Sequence, residues 1–127
     1  METLRLRACA TLAGDPVVNP AGVELGVLEH VMLDVDGGRI AYAVLARGGV
    51  FGIGERLYAV PWNAIRRDVQ SECFVVDIDP ESLDAAPSFD RHHWPSMDAE
   101  WMDRVHAHFA RVSGRDHGGT RQGMETV

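Results

Sequence analysis

Between Asp15 and Pro80 the chain is cut into short pieces by turn-forming residues, and this punctuation limits what it can fold into. Asn19-Pro20-Ala21-Gly22 makes one turn: Pro20 presets φ at the second position and Gly22 suits the last. Asp34-Val35-Asp36-Gly37-Gly38 makes the next, with Asp36-Gly37 a good tight-hairpin pair. Gly48, Gly49, Gly52 and Gly54 make a third, and Pro61 ends the run behind them because it has no N–H to donate to a ladder. The apolar runs left between the turns, residues 15–18, 24–33, 39–46, 56–60 and 72–78, are strand-length. No helical pattern of roughly ten to fifteen residues separates them, which argues against a βαβ sheet. About five strands with short turns predict a mostly β fold, a small antiparallel barrel or strongly coiled sheet.

The runs themselves support closure. ELGVLEHVML is apolar on both phases, with Leu25, Val27, Val31 and Leu33 on one and Leu28 and Met32 on the other. Gly26 interrupts it and invites a bulge. In ECFVVDI, Phe74, Val76 and Ile78 are expected to form the core face, opposite Cys73, Val75 and Asp77. Trp62-Asn63-Ala64-Ile65 reads as one helical turn, followed by a connector at Arg66-Arg67-Asp68.

Past Pro80 the composition shifts, so the chain divides into a barrel (1–80), a proline- and aromatic-rich connector with a helix (81–113), and an aperiodic tail (114–127) expected to be disordered. Pro80 to Ala86 reads as one or two helical turns stopped by Pro87. The helix is expected over 97–112, capped by Ser96 or Asp98, with Trp101, Val105, Phe109 and Val112 on one face. That face packs on the barrel or on a second subunit.

The chain has 127 residues, 46% of them hydrophobic, enough for one domain with a real core. The formal net charge of −7 disfavours a nucleic-acid backbone binder. All 12 basic residues are arginine, which removes the lysine of a phosphate-binding Walker loop and any Schiff-base chemistry. Cys9 and Cys73 lack metal or redox spacing and read as reduced, packed thiols, with Cys9 in an N-terminal strand or arm. The N-terminal apolar stretch is too short for a signal peptide, and no run approaches a membrane span. The expectation is a soluble, cytoplasmic protein with no membrane span, although peripheral association stays open.

Five features follow in order: Gly22-Val-Glu-Leu-Gly26, the run from Val31 into the Asp/Gly turn at Gly38, the apolar strand from Ile40 to Leu45, Gly52-Ile-Gly54-Glu55, and Tyr58-Ala-Val-Pro61-Trp62 with Ile65. In these features residues 19–78 resemble the PRC-barrel family, which includes the cytoplasmic domain of the photosynthetic reaction-centre H subunit and the C-terminal domain of the ribosome maturation factor RimM. The resemblance implies a small β-barrel used as an adaptor or assembly module, with no active site. One role it leaves open is that of an accessory to ribosome maturation or to a membrane redox complex.

The glycine segment lacks the third glycine of a dinucleotide fingerprint, is followed by Glu55, and runs into a strand instead of a helix. It reads as a structural turn, in which Phe51 and Ile53 either cap the barrel or form a binding patch. Gly22, Gly26, Gly37, Gly52, Gly54, Pro61 and Trp62 are assigned to turns and barrel ends. Asp34 and Asp36 with Glu29 lack a calcium-loop pattern. His106 and His108 diverge on a helix, and no metal site is expected. His92 and His93 carry the alternative of a small enzyme or a metal- or ligand-binding protein. His30, in a strand, is expected to be packed or at the surface. No serine sits in a nucleophile elbow, and Asp77 and Asp79 straddle a strand end with no cleft identifiable in the sequence. The expected function is therefore non-catalytic, without a cofactor. Phe51, Ile53, Trp94, Trp101, Val105 and Phe109 are the candidate interaction residues, for an unidentified protein partner and for a homodimer through the 97–112 helix.

Overall fold

Each apolar run between the turns becomes a strand, because β-branched and aromatic side chains fit a pleated, buried surface. The computed structural model of the protein describes residues 6–48 and 54–113. Its strands are β1 (Pro16–Val18), β2 (Glu24–Asp34), β3 (Arg39–Arg47), β4 (Arg56–Pro61), β5 (Ile65–Asp68), β6 (Cys73–Val76) and β7 (Ser88–Phe89). The helices are α1 (Cys9–Leu12), α2 (Pro80–Asp84) and α3 (Ala99–Ser113), with a 3₁₀ turn at Trp62–Ala64.

The strands form one seven-stranded sheet in the order β5-β6-β1-β2-β3-β4-β7. Neighbours are antiparallel except β1 and β6, which run parallel, with Val17 beside Phe74. The antiparallel barrel expected from the sequence is therefore corrected to a mixed sheet whose ladder does not close. It still curls. The 3₁₀ turn joins β4, beside one edge, to β5 at the other, and the rings of Trp62 and Phe74 lie 6.4 Å apart although β4 and β6 are not neighbours in the sheet.

Curling explains why residues 42–46 of β3 and 57–61 of β4 are buried without alternation. Cover is needed on both faces, and α3 supplies part of it. Trp101, Val105 and Phe109 join the core with Leu45, Leu57 and Val60. Phe74, Val76 and Ile78 join the core as expected, and Cys73 and Val75 on the other phase of β6 are buried as well.

Local chemistry sets the joints. Asn19 accepts the N–H groups of Ala21 (3.0 Å) and Val23 (2.9 Å) on its side-chain oxygen, which fixes the first turn. At Gly26 φ is +153° and a Cβ would lie 2.4 Å from the Ala46 carbonyl oxygen, so only glycine lets β2 and β3 approach there. The register between β1 and β2 shifts beside it. Asp79 caps α2 by accepting the Ser82 N–H at 3.0 Å, and Asp98 caps α3 by accepting that of Trp101 at 3.0 Å.

Three further expectations change. The segment around Cys9 is a single helical turn, and its thiol is exposed and free; Cys73 is buried and free. Residues 66–68 belong to β5, antiparallel to β6. The connector adds β7 to the sheet and places Leu83 and Ala86 in the core. Residues 114–127, read as a tail, lie outside the described residues.

Candidate functional site

Two surface features stand out, and both are built on β2. The first is a strap formed by the residues after β7. β7 pairs with β4 through Leu57–Phe89 and Tyr58–Ser88. The chain then lays Arg91 between two carboxylates, Glu29 of β2 and Glu55 before β4. Arg91 donates both guanidinium nitrogens, Nη2 reaching Glu29 Oε1 at 3.0 Å as well as Glu55. These carboxylates drive its pKa upward, so the cation is permanent. Trp94 folds back, its indole N–H donating to the Arg91 carbonyl at 2.9 Å. Its ring meets Phe89 at 4.9 Å and the edge of His30 at 5.3 Å. The strap is thus an ion-paired lid with an aromatic underside, and Trp94 stays 39% exposed.

The second feature is a ribbon. β1 accompanies β2 only as far as the Pro16–Val27 pair, and β4 accompanies β3 only as far as Tyr42–Pro61. Beyond those pairs β2 and β3 run on as two strands to the turn at residues 35–38. Leu33 is 57% and Val35 78% exposed at this end. Asp34 organises the turn, its Oδ1 accepting the N–H groups of Asp36 (3.2 Å) and Gly37 (3.1 Å).

The helix face expected to reach a partner is spent inside the chain. Trp101, Val105 and Phe109 are each at most 4% exposed, and Trp101 lies 5.8 Å from Phe89, ring to ring. The stripe is real, but the chain's own sheet and strap cover it. Val105 and Phe109 are no docking surface in this fold. Trp94 alone of the helix and connector candidates reaches the surface. Phe51, Ile53 and Gly52 lie outside the described residues. Gly22 and Gly54 adopt φ of +85°, as turn glycines do. A Cβ on Gly37 would meet Asp34 Oδ2 at 2.8 Å. Pro61 is buried and Trp62 half-buried.

The ionisable groups read as structural. Burial pushes the Tyr42 hydroxyl up and holds it protonated, able to donate to the Met97 sulfur. The Trp101 indole lies close enough to oppose that shift, yet among the described residues its buried N–H makes no hydrogen bond of ordinary geometry. Burial, with Asp84 adding to it, likewise raises Tyr58. Asp84 is held below the usual carboxylate range by its hydrogen bond from Arg47, at 2.8 Å. Asp90 is lowered first by the His92 backbone N–H, at 2.7 Å. His92 and His93 are exposed, with His93 Nδ1 3.5 Å from Asp90. Among the described residues no three His, Cys, Asp or Glu side chains form a group that could hold a metal ion. Buried His108 is occupied by packing: Nε2 lies 2.8 Å from the Ser82 carbonyl, tying α3 to α2.

Sequence reasoning missed the Arg91 clamp, because its partners are 62 and 36 residues away and no local pattern links them. It also passed over Val35, although an apolar side chain inside an Asp/Gly turn is a visible anomaly. No helix of the described residues is long and apolar enough to cross a membrane. A family model described as PRC-barrel domain matches residues 6–83. No curated protein matches the chain.

Proposed function

The chain belongs to the PRC-barrel family, and we propose on that premise that it is a non-catalytic interaction or assembly module that docks another polypeptide at the β2–β3 ribbon. The observation that carries this reading is the exposure of Leu33 and Val35 on a ribbon whose other neighbours in the sheet have already ended. Exposed apolar side chains at a turn have no use in the chain's own core and favour contact with another surface. Trp94, above the same strand, extends the surface with an aromatic edge. Free Cys9 and Cys73 support a reducing compartment such as the cytoplasm.

Placing a photoreactive residue at position 35 in the native cell tests the reading. Irradiation should give adducts of discrete mass from position 35 and none from position 100, on the exposed side of α3. Absence of adducts from positions 33, 35 and 94 alike would remove the docking function.

A further inference from the structure

We propose that the chain forms a two-fold dimer by antiparallel pairing of the outer edges of two β2 strands, centred on Met32. This rests on the docking reading above and names the occupant of the ribbon as a second copy.

The argument starts from backbone groups. Beyond Leu28, which bonds Gly14 and Asp15, the ladder partners of β2 are all on β3. Alternate residues of an edge strand direct their N–H and C=O groups outward. Leu28 directs its groups to Gly14 and Asp15, the extra β2 residue at the first irregularity reverses the phase, and the Asp34 carbonyl accepts the Gly38 N–H. Val31 and Leu33 are therefore the outward residues, and among the described residues their outward groups have no hydrogen-bonded neighbour, while α1 packs against β2. The two ends of the sheet differ. β7 is only two residues long, and β5 is four residues carrying Arg66, Arg67 and Asp68. Short, charged edges discourage pairing. The open part of β2 instead carries Val31, Met32 and Leu33 and is regular there, since the extra residue at its second irregularity lies on β3.

The sequence of this edge is self-complementary. With Met32 on the two-fold axis, Val31 stands opposite Leu33 of the second copy, and His30 stands opposite its Asp34. The apolar pairs cover Leu33, and each imidazole faces a carboxylate. Other registers lose the match: a shift of one residue also turns the apolar set to the wrong face. Repulsion between two chains of −7 is screened beyond about 8 Å at physiological salt, and Arg91 and Arg39 lie beside the local acids.

Sedimentation equilibrium of the full chain across the micromolar range should show a dimer. Leu33→Lys should weaken it at least about tenfold, with an unchanged circular dichroism spectrum and, at a concentration where both chains are monomeric, an unchanged urea midpoint. Cysteine pairing then tests the register. In a Cys9→Ser background, Met32→Cys should give a disulfide-linked dimer on mild oxidation. Val31→Cys and Leu33→Cys should each fail alone and cross-link when mixed. A wild-type chain that stays monomeric overturns the proposal, as does a dimer indifferent to Leu33→Lys. Cross-linking through Val31→Cys alone overturns the register. A monomer that still gives a position-35 adduct with a different protein discards the dimer and keeps the docking function.

Discussion

The apolar stripe of α3 and the apolar end of the β2–β3 ribbon invite the same reading in sequence, and the fold treats them in opposite ways. The stripe is the stronger pattern, with Trp101, Val105 and Phe109 at helical spacing. It is absorbed by the sheet because a curled sheet with a buried central strand needs cover. The ribbon is the weaker pattern, yet Leu33 and Val35 remain exposed because the adjoining strands stop short of them. Amphipathicity thus reports that a face will be covered and leaves open by what. The informative surface is where apolar residues outlast the elements that could cover them.

Substitutions sharpen this contrast. Trp101→Ala should have the largest effect, destabilising the chain by about 3–5 kcal/mol in urea unfolding, since it opens a cavity between α3, Phe89 and the core. A loss no larger than that of an exposed substitution would show that α3 is not docked on its own sheet. Gly26→Ala should follow at roughly 1–3 kcal/mol, because the new Cβ must displace the Ala46 carbonyl and φ is unfavourable for an L side chain. A stable Gly26→Ala variant would show that β2 and β3 separate at that point without cost.

Asp84→Asn should cost less than about 1 kcal/mol, the pair with Arg47 being largely solvent-exposed on the Asp84 side. Its sign is fixed. The folded-state pKa of Asp84 is depressed, so the contribution is complete above the ordinary carboxylate pKa and is lost as pH falls through the folded value. Wild type and Asp84→Asn should therefore differ at neutral pH and converge in acid, which paired urea titrations measure. Arg91→Ala should leave the global midpoint nearly in place but free the strap. The expected signs are red-shifted Trp94 emission and faster proteolysis near residues 90–95. Val35→Ser should be smallest, within about 0.5 kcal/mol, and measurable only as lost docking.

Much of the fold was legible where the signal is local. The turns at Asn19–Gly22 and Asp34–Gly38, the bulge beside Gly26 and the Asp98 cap each follow from a few adjacent residues. β5 was not legible because Arg66-Arg67-Asp68 resembles a turn. In the structure Arg67 is held by Asp15 at 2.8 Å and lies over the Phe74 ring, 4.8 Å from its centroid, partners that only the folded chain supplies. β7 is too short to carry a period. The parallel β1–β6 pair and the Arg91 clamp join distant segments, and such contacts leave no trace in the spacing of either partner.

The parallel pairing of Val17 with Phe74 has a consequence in time. The β2–β3 and β3–β4 hairpins can form from neighbouring segments as soon as these are made, since they close short loops. β1 cannot gain its second neighbour until β6 exists. During synthesis β1 would wait for its second neighbour while more than fifty residues are added, and β4, flanked by β3 and β7, would wait for a later segment still. Pulse-labelled amide exchange during refolding should accordingly find Val17 protected after Val44 and Ala59.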